Sequence, residues 1–260
     1  MDKDLITLLI EGVFSGEISL FKLPELLYFW TFEKLDNSFK KGFGEVLGTD
    51  KFLNQKAFNY RTNISRFSGA KTFQNIKELS DNVFLPNGIK RPFADFKKTA
   101  LKINEKYNIE WLKAENDLAI KQAQNARKWI KYESEKDIFP ILEYVSVGDQ
   151  RVRPSHKKLD GLKKPVDDPI WNTIFPANGW RCRCIVIRHR KANTTTENET
   201  KDKTKEIEKE FKKNPEFAFN VGKKEYLFKE SGKGKNNYFK VPREFSNELK
   251  NNFGFPKISK

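Results

Sequence analysis

The sequence predicts an α+β fold: a helical N-terminal scaffold with a long helix, followed by a small β-rich domain. Three observations carry this. Between Pro92 and Tyr132 there is no Gly or Pro, and apolar side chains recur there at three- and four-residue spacing. Near residue 140 the pattern switches to alternation with β-branched residues. At 260 residues and 37% hydrophobic, the chain can bury the core of one large or two small domains.

Taken in order, Leu23-Pro24-Glu25 opens a helix with Pro at its first turn, and Leu23, Leu26, Leu27, Trp30 and Leu35 fall near one face. The stretch from Asn37 is expected to slow and break it, Gly42 and Gly44 supplying the stop. Further helices are expected over 50–67 and 70–83, split by Ser68-Gly69, before a turn at Pro86-Asn87-Gly88. From 92 to 132 the stripe Phe96, Ala100, Ile103, Tyr107, Trp111, Leu118, Ala119, Gln122, Ala126 and Trp129 predicts a helix of roughly 60 Å at 1.5 Å per residue, with Asn104 or Asn108 as the place for a break. Residues 141–147 read as a strand ending at Gly148-Asp149, and 184–187 as a second strand. Between them, 151–180 contains four prolines and two glycines, which predicts a long ordered loop or short elements; such a loop is usually functional. The polar stretch 191–213 fits a linker or exposed helix. Two more strands are expected at 217–221 and 226–228, a Gly/Lys/Asn loop at 229–237, and a frayed tail after Phe253. This divides the chain into a scaffold over 1–135, a motif-bearing region over 136–190, and a Lys-rich extension over 191–260 that packs on the motif region.

No apolar run approaches the roughly 18 residues of a membrane span, so an integral membrane protein is excluded. The first residues lack the basic-then-apolar pattern of a secretion signal. Two cysteines separated by one residue do not make a disulfide framework. The expected setting is a reducing cytoplasm or a particle assembled there. The formal charge of +15 is uneven: residues 1–150 net +2, 151–190 net +7 and 191–260 net +6. Such localisation describes a binding surface on a near-neutral scaffold.

Residues 149–184 concentrate both Cys, one of the two His and two of the five Trp, which marks this segment as the site. Cys182, Cys184 and His156 have the ligand chemistry of a zinc centre, the fourth position falling to Asp160 or water; on a strand, residues two apart share a face, so both sulfurs can address one ion. The competing reading makes both Cys small buried residues and His156 a hydrogen-bonded organiser of the loop. His156 with Asp160 or Asp167 could form a general-base pair beside arginines. No second motif His, nucleophile or phosphate-cradling Gly loop accompanies them, so no catalytic residue is assigned and no enzyme is expected. No cofactor is required beyond the candidate zinc. Asp167-Asp168-Pro169 starts a turn or caps a short helix toward Trp171, and Gly179 supplies a positive φ before the strand. Trp171 and Trp180 are read as core plugs that pin the loop. Arg151, Arg153, Lys157, Lys158, Lys163, Lys164, Arg181, Arg188 and Arg190 form a basic patch suited to phosphate contact without sequence reading. An acidic protein surface is its main competitor as partner, and a Lys-rich surface from AT-rich coding would give the same composition without a binding role. Arg183 is expected inside, paired to Asp160 or Asp167.

The segment resembles the phage Mu F-like, or phage head morphogenesis (minor head protein), family. The resemblance rests on Arg151, Arg153, Ser155-His156, Leu159-Asp160-Gly161, Asp167-Asp168-Pro169, Trp171, Pro176, Asn178-Gly179-Trp180 and Cys182-Arg183-Cys184. Phe175-Pro176 stands where the family has Pro-Pro. Phe14-Ser15-Gly16, Leu23-Pro24, Tyr28 and 219–223 are similar to the family's flanks. The resemblance implies a β-rich Mu F-like domain in a structural minor capsid protein. Its partners would be portal and capsid or scaffold proteins and non-specific double-stranded DNA, with no membrane. It would reside in the virion, at the capsid interior or portal vertex, and in the host cytoplasm during assembly. A phage- or prophage-encoded nuclease or toxin effector built on the same domain is the alternative.

Overall fold

A computed structural model describes residues 1–46, 49–230 and 238–256. The elements run α1 (Lys3–Ser15), α2 (Glu25–Phe43), α3 (Lys51–Asp81), α4 (Phe93–Glu105), a π-helical segment (Lys106–Trp111), α5 (Leu112–Ser134), β1 (Ile141–Val145), α6 (Pro154–Lys158), β2 (Leu162–Pro165), α7 (Trp171–Ile174) and β3 (Ile185–His189). After these come α8 (Glu197–Lys213), a 3-10 turn (Pro215–Phe217), α9 (Val221–Lys224), a 3-10 turn (Arg243–Phe245), α10 (Ser246–Lys250) and a last 3-10 turn (Asn252–Gly254). The fold is α+β, as the sequence predicts: helices surround one small sheet.

The helix expected between 92 and 132 is present, unbroken from α4 to α5. What Asn104 and Asn108 produce is the π segment. Both are buried, and Asn108 donates from Nδ2 to Asn104 Oδ1 at 2.8 Å, a side-chain bond where the helix turn widens. The expected turn at Gly88 also forms, with φ 81° and the Leu85 N–H donating to the Ile89 carbonyl.

The stop expected at Gly42 and Gly44 falls at Gly44, and the split expected at Ser68-Gly69 does not occur. α2 passes through Asn37 and Gly42 and ends at Gly44, whose φ is 81°. α3 runs as one helix of 31 residues through Ser68-Gly69. Both interior glycines answer to close packing: a Cβ on Gly42 would lie 2.3 Å from the Ile120 carbonyl oxygen of α5, and one on Gly69 would lie 2.5 Å from Asn252 Oδ1. Glycine marks close approach there, and the helix continues.

The sheet has the order β2-β1-β3, antiparallel throughout. Alternation in β1 puts Leu142 and Tyr144 into the core, each 0% exposed, and leaves Glu143 on the other face. There Glu143 takes its register partner Lys163 at 3.4 Å and His189 at 2.7 Å, cross-strand ion pairing of the kind that fixes register.

The stretch expected as linker or exposed helix folds as α8. Thr196 and Glu199 form a capping box at its start, and Thr200, Thr204, Ile207 and Phe211 bury one face. The strands expected at 217–221 and 226–228 are absent. Asn220 caps α9 by accepting from the Gly222 and Lys223 N–H groups. Asn63 of α3 accepts the Leu227 and Phe228 N–H groups and donates to the Phe228 carbonyl. With side chains satisfying this backbone, no strand partner is needed. The loop expected at 229–237 lies outside the described residues from 231 onward. The tail expected to fray after Phe253 instead packs as far as it is described: Phe255 is buried and stacks on Tyr28 with ring centroids 4.1 Å apart.

The C-terminal segment touches both other parts of the chain. Asn220 donates to the Trp171 carbonyl and Phe217 meets Trp180, while Gln74 of α3 donates to the Tyr238 and Lys240 carbonyls. No helix among the described residues is long and apolar enough to cross a membrane.

Candidate functional site

α6 is a single turn with Pro154 at its start, and it aims His156 inward. Cys182 and Cys184 lie in the extended approach to β3, since the strand itself begins at Ile185. The turn before them is held by the Cys182 N–H donating to the Gly179 carbonyl at 3.1 Å. His156 Nδ1 stands 3.6 Å from Cys182 Sγ and 3.5 Å from Cys184 Sγ. All three residues are buried, and among the described residues theirs is the only His/Cys/Asp/Glu grouping with metal-ligand spacing. A cavity of about 20 Å³ adjoins them. Hydrogen bonding to Cys184 and to His156 holds the Cys182 thiol well below its usual range, while the Cys182 thiolate and burial push Cys184 up.

Asp160 is not part of this cluster. It is exposed, and its Oδ1 accepts the Ser146 N–H at 2.7 Å. Asp167 is exposed and pairs with Lys136 at 3.0 Å. Neither carboxylate is bonded to His156, so the general-base pair considered from sequence is not assembled. His156 Nε2 is buried without a partner among the described residues.

The expected positive φ at Gly179 is absent too, and φ of 58° falls at Arg181. Gly179 serves close approach: a Cβ there would sit 3.0 Å from an Arg153 guanidinium nitrogen. Arg153 donates from Nη2 to the Trp180 carbonyl at 2.8 Å.

The loop is pinned from several sides. Asp168 Oδ1 accepts the Ile170 N–H, and Trp171, 0% exposed, donates from Nε1 to the Pro165 carbonyl at 2.9 Å. Asn178 donates to the Thr173 and Phe175 carbonyls and accepts from Tyr144. From α5, Asn125 donates to the Pro176 carbonyl, Gln122 accepts the Ala177 N–H, and Tyr132 donates to the Val186 carbonyl. Gln122, Asn125 and Tyr132 were not assigned to the site by sequence. Their signal was available: Gln122 and Asn125, three apart, are amides at or beside an apolar stripe.

The basic residues do not form one surface. Lys164 is buried and paired with Glu197, Lys163 with Glu143, and Arg188 with Glu135. Lys157 and Lys158 are exposed on α6, and Arg190 lies over the Phe139 ring. Four arginines do converge. Arg151, Arg153, Arg181 and Arg183 line an open groove of about 700 Å³ together with Trp180 and, from α5, Lys121 and Asp117. Burial and the neighbouring Lys128 pull the Lys121 ammonium below its usual range, as a crowded cationic groove requires. Trp180 is half-buried, with its ring edge-on to Phe217.

Arg183 is neither internal nor paired to Asp160 or Asp167. It makes a two-pronged bond to Asp149 at 2.6 and 2.7 Å. The Arg183 hydrogen bonds, with the Arg151 N–H, lower the Asp149 carboxyl from 3.8 to about 2. A carboxylate depressed on folding contributes its full stability above its unfolded value and loses it as pH falls through the folded one. The clamp is therefore expected to open between pH 3.8 and about 2. The check is an NMR titration of the Asp149 side chain, which should have its midpoint near the lower limit; a midpoint at the ordinary aspartate value would remove the clamp.

Residues 68–187, which take in the π-interrupted helix and the His/Cys loop it buttresses, match the family model described as Phage Mu protein F like protein. The span opens inside α3 and closes inside β3, so it includes both the long helix and the loop it supports. Over 64 residues the chain is 39% identical to a protein of Escherichia phage Mu assigned the name capsid assembly protein F. Over 64 residues it is 42% identical to the Mu-like prophage FluMu F protein of Haemophilus influenzae. Each alignment covers 25% of this chain, but only 15% of the first relative and 16% of the second. No solved structure matches the chain.

Proposed function

We propose that the chain is a phage or prophage minor head (head morphogenesis) protein, a structural component that acts in capsid assembly at the portal and touches packaged double-stranded DNA. The observation that carries this reading is the match of residues 68–187 to the Mu F-like family, together with a relative named for capsid assembly. The DNA component rests on the groove. Arg151, Arg153, Arg181 and Arg183 of the pinned loop and Lys121 of α5 face one open space. Fixed cations on one concave surface suit phosphate contact, which is strong at low salt and indifferent to sequence. The protein then sits at the capsid interior or portal vertex, after assembly in the host cytoplasm, with portal and capsid or scaffold proteins as partners.

Co-expression with the portal and major capsid proteins of the same genome tests the assembly role: the chain should co-sediment with closed proheads. Proheads that form normally and exclude it would refute the reading. For DNA, affinity should fall steeply with salt, and Arg151→Ala/Arg181→Ala should lower the slope of log K against log salt by about two. An absence of binding at low salt removes DNA from the proposal. Cleavage of DNA or RNA by the pure protein, abolished in His156→Ala, would replace the structural role with a nuclease.

A further inference from the structure

We infer that His156, Cys182 and Cys184 hold one zinc ion, with the fourth coordination position left to water. In a tetrahedral site with Zn–S of about 2.3 Å and Zn–N of about 2.0 Å, the sulfur-to-nitrogen edge is about 3.5 Å. The edges here are 3.6 and 3.5 Å, so both sulfur-to-nitrogen edges already have the length an ion would impose, and all three donors lie within 4.8 Å of one another. Hydrogen bonding alone gives a poorer account. Imidazole Nδ1 carries either one proton or one in-plane lone pair, so in neither tautomer can it bond fully to both sulfurs at once. A cation at the centre satisfies all three atoms.

Two thiolates and an imidazole are soft and borderline donors, which favour zinc over magnesium or calcium. Two thiolates also neutralise a divalent ion, so the filled site adds no charge beneath the arginines. The fourth position has no protein candidate among the described residues. Asp160 is committed to the Ser146 N–H and Asp149 to Arg183. The adjoining cavity of about 20 Å³ exceeds the roughly 10–15 Å³ that one water needs. Coordination through Nδ1 places the imidazole proton on Nε2.

The ion would join α6 to the entrance of β3, two short elements otherwise linked by a long excursion of the chain. Arg153 precedes one ligand helix, and Arg181 and Arg183 each immediately precede one of the two cysteines. Zinc would thus set the spacing of the guanidinium groups across the groove. This does not depend on the capsid reading.

The full chain, purified with reductant from zinc-supplemented medium, should contain one zinc per molecule by elemental analysis. Cys182→Ser and Cys184→Ser should each lose it against a competing chelator at least about tenfold more readily. Asp160→Asn should keep it; loss there would make Asp160 the fourth ligand and overturn the water assignment. Because the cysteine variants could misfold, the wild-type chain is also stripped and titrated with cobalt. A thiolate-to-metal charge-transfer band saturating at one equivalent is the expected result. A metal-free wild-type chain with no such band, or zinc retained equally in both cysteine variants, overturns the proposal.

Discussion

Replacing Lys71 by Met is expected to destabilise the protein by about 3–5 kcal/mol, because it leaves a buried carboxylate without its cation. Lys71 in α3 and Glu115 in α5 are 1% and 2% exposed and form an ion pair. Tyr238, from the C-terminal segment, donates to the other Glu115 oxygen at 2.6 Å. Burial and the Glu115 charge push the Tyr238 phenol well above its usual range, so it remains a donor. Each partner is tolerable in the interior only because the others are present. After Lys71→Met, one phenol hydrogen bond alone must support the buried carboxylate. The loss is a large share of the roughly 5–15 kcal/mol by which domains are stable. Lys71→Met/Glu115→Leu should recover most of it, since an apolar pair of similar volume removes both desolvation penalties. Urea denaturation of the single and double variants is the measurement. Equal losses in the two would mean that packing volume, and not the uncompensated charge, set the cost.

This triad also shows where sequence reading stops. Lys71 and Glu115 sit on helices that periodicity locates, yet nothing local distinguishes them from solvated charges. Their partner is 44 positions away in one case and 123 in the other. The same limit explains the basic patch. Net charge over 151–190 counts Lys163, Lys164 and Arg188 as available, whereas Glu143, Glu197 and Glu135 neutralise them from outside that window. Lys121 was not counted and faces the groove. Charge localisation found the right region, and acids met across the fold also engage groove arginines, Asp149 holding Arg183 and Glu210 standing 3.7 Å from Arg153.

What was legible is chemistry that residue type alone confers. The His156, Cys182 and Cys184 donors were visible because few other side chains can do what they do, and the structure places them together. The glycines were misread for a matching reason. Gly42, Gly69 and Gly179 carry two meanings, positive φ and absent Cβ, and here all three answer to a neighbour that comes close. Similarly, Phe217 to Phe228 has strand-like composition, but Asn63 and Asn220 take its backbone donors. An asparagine from a distant helix cannot be anticipated by local alternation.

Trp171→Ala is expected to cost about 3–5 kcal/mol, the range for truncating a fully buried aromatic residue. Trp180→Ala should cost clearly less, though both are tryptophans of one loop. Trp171 is 0% exposed, and its Nε1 satisfies the Pro165 carbonyl at the end of β2. Its own carbonyl accepts from Asn220, so α7, the sheet and the C-terminal segment meet on this residue. Truncation leaves a cavity and an unsatisfied carbonyl, and the surrounding elements are too constrained to collapse into it. Trp180 by contrast is half-buried and forms one wall of the groove. Its removal mainly enlarges that space and leaves the Arg153 bond to the backbone carbonyl at 180 in place. The expected pattern is a split: Trp171→Ala lowers the denaturation midpoint strongly, while Trp180→Ala changes it little and weakens DNA binding at low salt. Trp171→Phe should fall between, retaining ring volume but losing the Pro165 bond. If Trp171→Ala were as mild as Trp180→Ala in urea, the loop would not be pinned by its core. The fixed presentation of Arg151, Arg153, Arg181 and Arg183, on which the proposed phosphate contact depends, would then have no mechanical basis.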